Sequence, residues 1–233
     1  LDRRPKLWWR DDDAQEPTAA LDRLIGLANG RPMTLAVVPS GRVTALADRI
    51  RATPGVSVAQ HGTDHVNRRP AGQSPNEYPP DMSAVEVGAA IAFARQRMAA
   101  AGMAPLAYVP PWNQVDRTLL EALRGVGYRT YSAAADHQAA ADLIQIGAQL
   151  DIMRWGQGRP RFLGEARILD RLRRRLRTAR RSAQFHHPVG LLTHHLAHDA
   201  AAWRFLETFL VFADDAFQWI ALETVRTTMT VAL

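Results

Sequence analysis

Leu7-Trp8-Trp9-Arg10-Asp11-Asp12-Asp13 is an apolar run that breaks into four charged residues. Three bulky apolar side chains in a row read as a strand buried on both faces, as in a parallel sheet. Three adjacent carboxylates at its end repel one another unless a cation or an arginine compensates them. Their plain reading is a solvated turn leading into an acidic helix start. With the apolar strand behind them and Arg10 beside them, a functional reading gains weight.

The pattern recurs outward from this stretch. Residues 6–12, 33–38, 56–60, 106–110, 128–133, 189–193 and 217–222 read as strands, with one or two more in 143–155. Between them, helical periodicity marks 18–29, stopped by Gly30, then 43–52, and a helix opened by the Ser83/Glu86 capping box and ended by Gly102. Further helices run from Asp116 through Leu119, Leu120 and Leu123, within 161–182, and over 199–212. The stretch 67–81, with Pro70, Pro75, Pro79 and Pro80, reads as a long loop of the kind that usually has a job. Strand and helix alternate about seven times, which predicts an α/β fold with a parallel sheet, doubly wound or closed into a barrel. The barrel, as one domain over 1–233, is the expectation.

With no cysteine among 233 residues, disulfides, a thiol nucleophile and a thiolate metal site are excluded, and any metal must be held by His, Asp or Glu. The net charge is +6, but every basic residue except Lys6 is arginine in an alanine-rich chain, which suggests codon bias as much as partner choice. Eight arginines crowd Arg167 to Arg181, while Leu169, Leu172, Leu176 and Ala179 fall at helical spacing. This reads as the solvated face of an outer helix, so no nucleic-acid partner is expected. His186-His187-Pro188 reads as an ordinary loop. No apolar stretch reaches the ~18 residues of a membrane helix, so no membrane span is expected. Leu1 to Pro5 carries no apolar signal core, which favours a cytoplasmic location, with a trimmed leader as the other expectation. The oligomeric state is left open.

Ionisable residues gather where strands end: Arg10 to Asp13, His61-Gly62-Thr63-Asp64-His65, Pro110-Pro111-Trp112-Asn113, and His194-His195. In a parallel α/β fold these ends share one face, where ligands bind. His61 and His65 stand four apart and, on a helical turn, would point the same way. Eight histidines give roughly 0.24 such pairs by chance, and the sequence has two, the second being His194/His198, so spacing alone is weak. The carboxylates supplied by the first strand tip the balance, since two histidines and one carboxylate leave a position open on zinc. Adjacent aspartates in one site take different roles, one as ligand and one as base.

The order Asp-Asp, then His-Gly-Thr-Asp-His at 61–65, a proline-containing strand end at 110–111, and Leu191-Leu192-Thr193-His194 resembles the polysaccharide deacetylase superfamily, carbohydrate esterase family 4, over roughly residues 7–219. The resemblance implies a distorted (β/α)7 barrel and removal of acetyl groups from N-acetylated sugars, with an Asp-His-His-bound divalent metal, commonly Zn2+. It implies Asp12 as base, with Asp11 if the register slips by one, and Asp13, His61 and His65 as metal ligands. His194 is then the general acid, with His195 its rival. Tyr108, Trp112, Asn113 and Trp155 are expected on the carbohydrate side, although Trp112 could equally pack on its own prolines. Asp151-Ile152-Met153-Arg154-Trp155 matches the family's Asp/Trp motif only faintly. The arginine that the family often carries before the proline strand end is absent here, and Arg10 is expected to substitute for it. A divergent branch follows.

Overall fold

The computed structural model describes residues 4–136, 142–156, 158–181 and 187–231. Ser182, the last residue of a stretch expected to contain a helix, and His186 lie outside them. In chain order the elements are β1 (Lys6–Ala14), α1 (Ala19–Ala28), β2 (Met33–Val37), α2 (Val43–Arg51), β3 (Val56–His61), α3 (Ala84–Ala100), β4 (Tyr108–Val109), α4 (Arg117–Gly125), β5 (Thr130–Ala133) and β6 (Ile144–Gly147). There follow β7 (Leu150–Asp151), β8 (Met153–Arg154), β9 (Arg161–Phe162), α5 (Glu165–Arg181), β10 (Val189–Thr193), α6 (Ala200–Ala216), β11 (Gln218–Trp219) and α7 (Leu222–Val231).

The large sheet runs β6-β5-β4-β3-β2-β1-β10-β7, with β11 beside the start of β1. Every pair in it is parallel. It curls into a distorted barrel, as the family resemblance implies. Its two edge strands, β6 and β7, are joined in the chain by only Ala148 and Gln149. Closure there rests on side chains and close backbone approach instead of a ladder. The Trp8 indole N–H donates to Gly147 O at 3.0 Å, and Gly190 N–H to Gln149 Oε1 at 2.9 Å. A Cβ at Gly190 would overlap the Gly147 carbonyl oxygen, so this contact needs glycine.

Strand alternation divides the core. Leu7, Trp9, Leu35, Val37, Val58, Val189 and Leu191 face outward against α1, α2 and α6. Trp8, Ala36, Ala59, Val109, Ile146 and Leu192 point inward and meet Leu222, Val225 and Met229 of α7. Caps set the helix starts: Thr18, Asp116 and Asp199 each accept a backbone N–H of their first turn, and Ser83 with Glu86 forms the reciprocal box.

The long helix expected within 161–182 is α5, which opens after Gly164, whose φ is 99°, and follows β9, paired antiparallel with β8. Two expectations need correction. Residues 217–222 are a strand only at Gln218–Trp219, and Leu222 starts α7. The Thr- and Val-rich sequence of α7 has poor helix propensity, and burial of Leu222, Val225 and Met229 overrides it. On α5 the buried face is Ile168 and Leu172, while Leu169 is exposed. No helix among the described residues is long and apolar enough to cross a membrane.

Candidate active site

The carboxyl ends of β1, β3, β4, β7 and β10 meet at one rim, and the three aspartates of β1 leave it in three directions. Asp11 points outward with Trp9. Its buried carboxylate accepts the Thr193 hydroxyl at 2.6 Å, the His195 backbone N–H at 3.1 Å, and a short contact from His195 Nδ1. Burial works to raise the Asp11 pKa, and the facing His195 outweighs it, so the group sits below its ordinary value. The His195 ring is correspondingly raised by Asp11 against its own burial. Asp11, the alternative base, and His195, the alternative acid, thus lie against each other and tie the end of β10 to β1.

Asp12 points inward, two residues beyond Arg10 and on the same face. Arg10 Nη2 donates to Asp12 Oδ2 at 2.9 Å and to Asn113 Oδ1 at 2.8 Å, while Nη1 donates to Ser132 Oγ at 2.8 Å. Its Nε lies 2.8 Å from Asp12 Oδ1, an ion-pair contact too bent to be a hydrogen bond. Both residues are buried, Arg10 completely. Such a forked pair holds a carboxylate in one orientation.

Asp13 is re-aimed by the backbone. The β1–β2 register shifts between Asp11 and Ala14, and Asp13 takes φ 72°. A bulge at a strand end does this: it turns a side chain out of the alternation. The Asp13 carboxylate thereby meets His61 Nε2 at 3.2 Å and His65 Nε2 at 3.3 Å. The two rings converge through a left-handed turn, with φ 61° at Gly62 and 57° at His65, and not through the helical turn expected from their spacing. His61 Nδ1 lies 3.0 Å from Val109 O. A carbonyl can only accept, so Nδ1 carries a proton, while Nε2 faces the Asp13 carboxylate; burial works to lower the His61 pKa, and the bond to Asp13 with the charge of Asp12 outweighs it. A proton or a metal cation can occupy the space between these two atoms. The ligand-capable atoms of Asp13, His61 and His65 all lie within 4.8 Å of one another, a set compatible with a divalent metal. Burial works to raise the Asp13 carboxyl, but bonding to His61 holds it below its ordinary value. His65 is pushed down, first by burial and then by His61, which keeps its ring available as a neutral ligand.

His194 faces the centre from β10, its Nε2 3.7 Å from Asp12 Oδ2 and its Nδ1 3.9 Å from Asp151 Oδ1. Trp155 stands edge-on to the His194 ring at 4.5 Å and donates its indole N–H to Asp151 Oδ2 at 2.7 Å. Burial pushes the Asp151 carboxyl up. Across the rim, Trp112 packs on His65, centroids 4.4 Å apart, and both Trp112 and Asn113 have left-handed backbones (φ 53° and 54°). Strained residues therefore crowd this one place.

Tyr108, expected on the carbohydrate side, does not reach the rim. It is fully buried behind the rim, with its hydroxyl on Tyr78 Oη at 2.9 Å, because its position in β4 alternates outward under α3 and α4. Asn113 is occupied in part by Arg10. Sequence reasoning missed Ser132, beneath Arg10, and Glu77, beneath the 61–65 loop. Glu77 lies in the proline-rich stretch marked as a working loop, which was its only signal.

A parallel α/β barrel with a carboxylate-imidazole cluster at its strand ends defines the class. Neither a protein-family model nor a curated protein matches the sequence. Solved structures do match along nearly the whole chain. A candidate polysaccharide deacetylase from Mycobacterium smegmatis superposes with a TM-score of 0.69 at 16% identity, covering 99% of this chain and 92% of that one. PuuE allantoinase gives 0.71 at 12% identity over 98% and 91%. A cobalt-bound family 4 acetyl xylan esterase from Clostridium thermocellum gives 0.55 at 15% over 95% and 90%. The chain therefore has the fold of the family 4 carbohydrate esterases and polysaccharide deacetylases, at low sequence identity.

Proposed function

We propose that this chain is a metal-dependent hydrolase that removes N-acetyl groups from a carbohydrate. One observation carries the reading: Asp13 faces two imidazole Nε2 atoms at 3.2 and 3.3 Å, with the neighbouring Asp12 held off that cluster by Arg10. Asp13, His61 and His65 would hold the ion, with zinc the choice that suits two imidazoles and a carboxylate. When bound, such an ion supplies a Lewis acid toward an acyl carbonyl. The protein's own groups do the rest. Asp12, oriented by Arg10, takes a proton from the attacking water. His194, with Asp151 behind Nδ1, protonates the departing amine. Trp112 and Trp155 flank the centre and offer apolar faces to a sugar ring, with Asn113 at the edge. Arg10 answers the motif arginine that the sequence lacks, which favours a working site over an inactive sugar-binding barrel.

The test is metal content of the purified protein and of His65→Ala, beside acetate release from N-acetylchitooligosaccharides. About one metal per chain, lost in the variant, with acetate released by the wild type, is the expected result. Equal metal in both proteins removes the ligand assignment. The likeness to an allantoinase supports a second reading, hydrolysis of a non-sugar amide at the same centre. Turnover of allantoin without acetate release would select it.

A further inference from the structure

A buried carboxylate sits under the 61–65 loop, and nothing in the proposed chemistry uses it. Glu77 is 1% exposed. Its Oε1 accepts the backbone N–H groups of Thr63 at 3.0 Å and Asp64 at 2.9 Å, and that of His65 in a shorter contact. Its Oε2 accepts Thr63 N–H at 2.8 Å and the Thr63 hydroxyl at 3.2 Å. Three successive amides thus point into one carboxylate, a concave arrangement suited to an anion. The carboxylate also fills the space a side chain at position 62 would need: a Cβ on Gly62 would overlap it, and the Gly62 φ of 61° itself favours glycine.

We propose that Glu77 is a positioning residue for the metal centre, its carboxylate substituting for a side chain at position 62 and aiming His65 Nε2 at Asp13. This rests on the metal-site reading above. His65 is held at φ 57°, a sparsely populated conformation that persists only where its surroundings over-determine it. The Glu77 contact to the His65 amide is a direct means of doing so. The clamp is reinforced from outside: Arg68 Nη1 donates to Glu77 O at 3.2 Å and to Asp64 Oδ1 at 2.9 Å, binding the long loop to the metal loop. Gly62 O meanwhile accepts Gln60 Nε2 at 3.0 Å, so the turn is pinned on both sides.

The experiment measures zinc affinity by competition with a chromophoric chelator in wild type, Glu77→Gln and Glu77→Ala. Amide hydrogen exchange of residues 63–65 in the metal-free proteins runs alongside. The expected result is native near-UV circular dichroism in the variants, a tenfold to hundredfold loss of affinity in Glu77→Ala, and partial rescue in Glu77→Gln, whose carbonyl can keep Oε1's role. Protection at 63–65 should fall in the same order. A folded Glu77→Ala that binds zinc like the wild type overturns the inference while leaving the metal site standing. Wild type without zinc affinity overturns both. Should Glu77→Ala fail to fold, Glu77→Gln decides, because its amide turns a donor toward the Thr63 N–H: a severalfold loss supports the inference and unchanged affinity overturns it.

Discussion

Arg10 closes on Asp12 from two positions earlier on the same strand, its Nε 2.8 Å from Oδ1 and its Nη2 2.9 Å from Oδ2. Both groups are almost wholly buried, so each is the other's counter-ion and the pair stands or falls together.

Removing one member leaves an uncompensated buried charge. Arg10→Met is expected to destabilise the fold by about 3–5 kcal/mol. Urea unfolding of the variant measures this, and a loss under 1 kcal/mol would mean that Asp12 finds another partner or takes up a proton at little cost.

Asp12→Asn preserves shape and removes the proton acceptor. Metal content should be unchanged while kcat falls by about 10²–10⁴-fold. An active Asp12→Asn protein would take the base role away from Asp12.

Asp11→Ala should separate structure from chemistry within one triplet. Its contacts are all to Thr193 and His195, so the variant is expected to lose about 3 kcal/mol or more of stability while the folded fraction still binds metal. Unfolding curves and metal titration are read together; metal loss with intact stability would contradict the separation.

His198 provides a pH test away from the proposed ligands. Its Nε2 accepts the His194 backbone N–H at 3.4 Å, its Nδ1 is buried without a hydrogen-bond partner, and its ring stands edge-on to Trp203. Burial pushes its pKa down to about 4, with His194 and His195 adding to the shift and Asp11 opposing it. The fold therefore favours the neutral ring. Its contribution is present above pH 6.5 and is lost as pH falls from 6.5 toward 4. The gap in urea midpoint between wild type and His198→Gln should narrow over that window; a gap independent of pH would contradict the assignment.

The sequence by itself determined the alternation of strands and helices, the strand ends that carry chemistry, and the pairing of His61 and His65 with a β1 carboxylate. These are legible because apolar periodicity and punctuation are local, and because a parallel sheet necessarily gathers its strand ends at one face. Only the tertiary structure decided where each aspartate points and what it meets. Asp11, Asp12 and Asp13 are chemically identical neighbours, and their fates depend on pleat, on the bulge that turns Asp13, and on whether Arg10 or His195 lies opposite. The same holds for Tyr108, which alternation sends outward into the core, for Glu77, which reaches the metal loop from a distant turn, and for α7, whose helix exists because the barrel interior buries one of its faces. Each depends on what another segment places opposite, and no local pattern of residues carries that information.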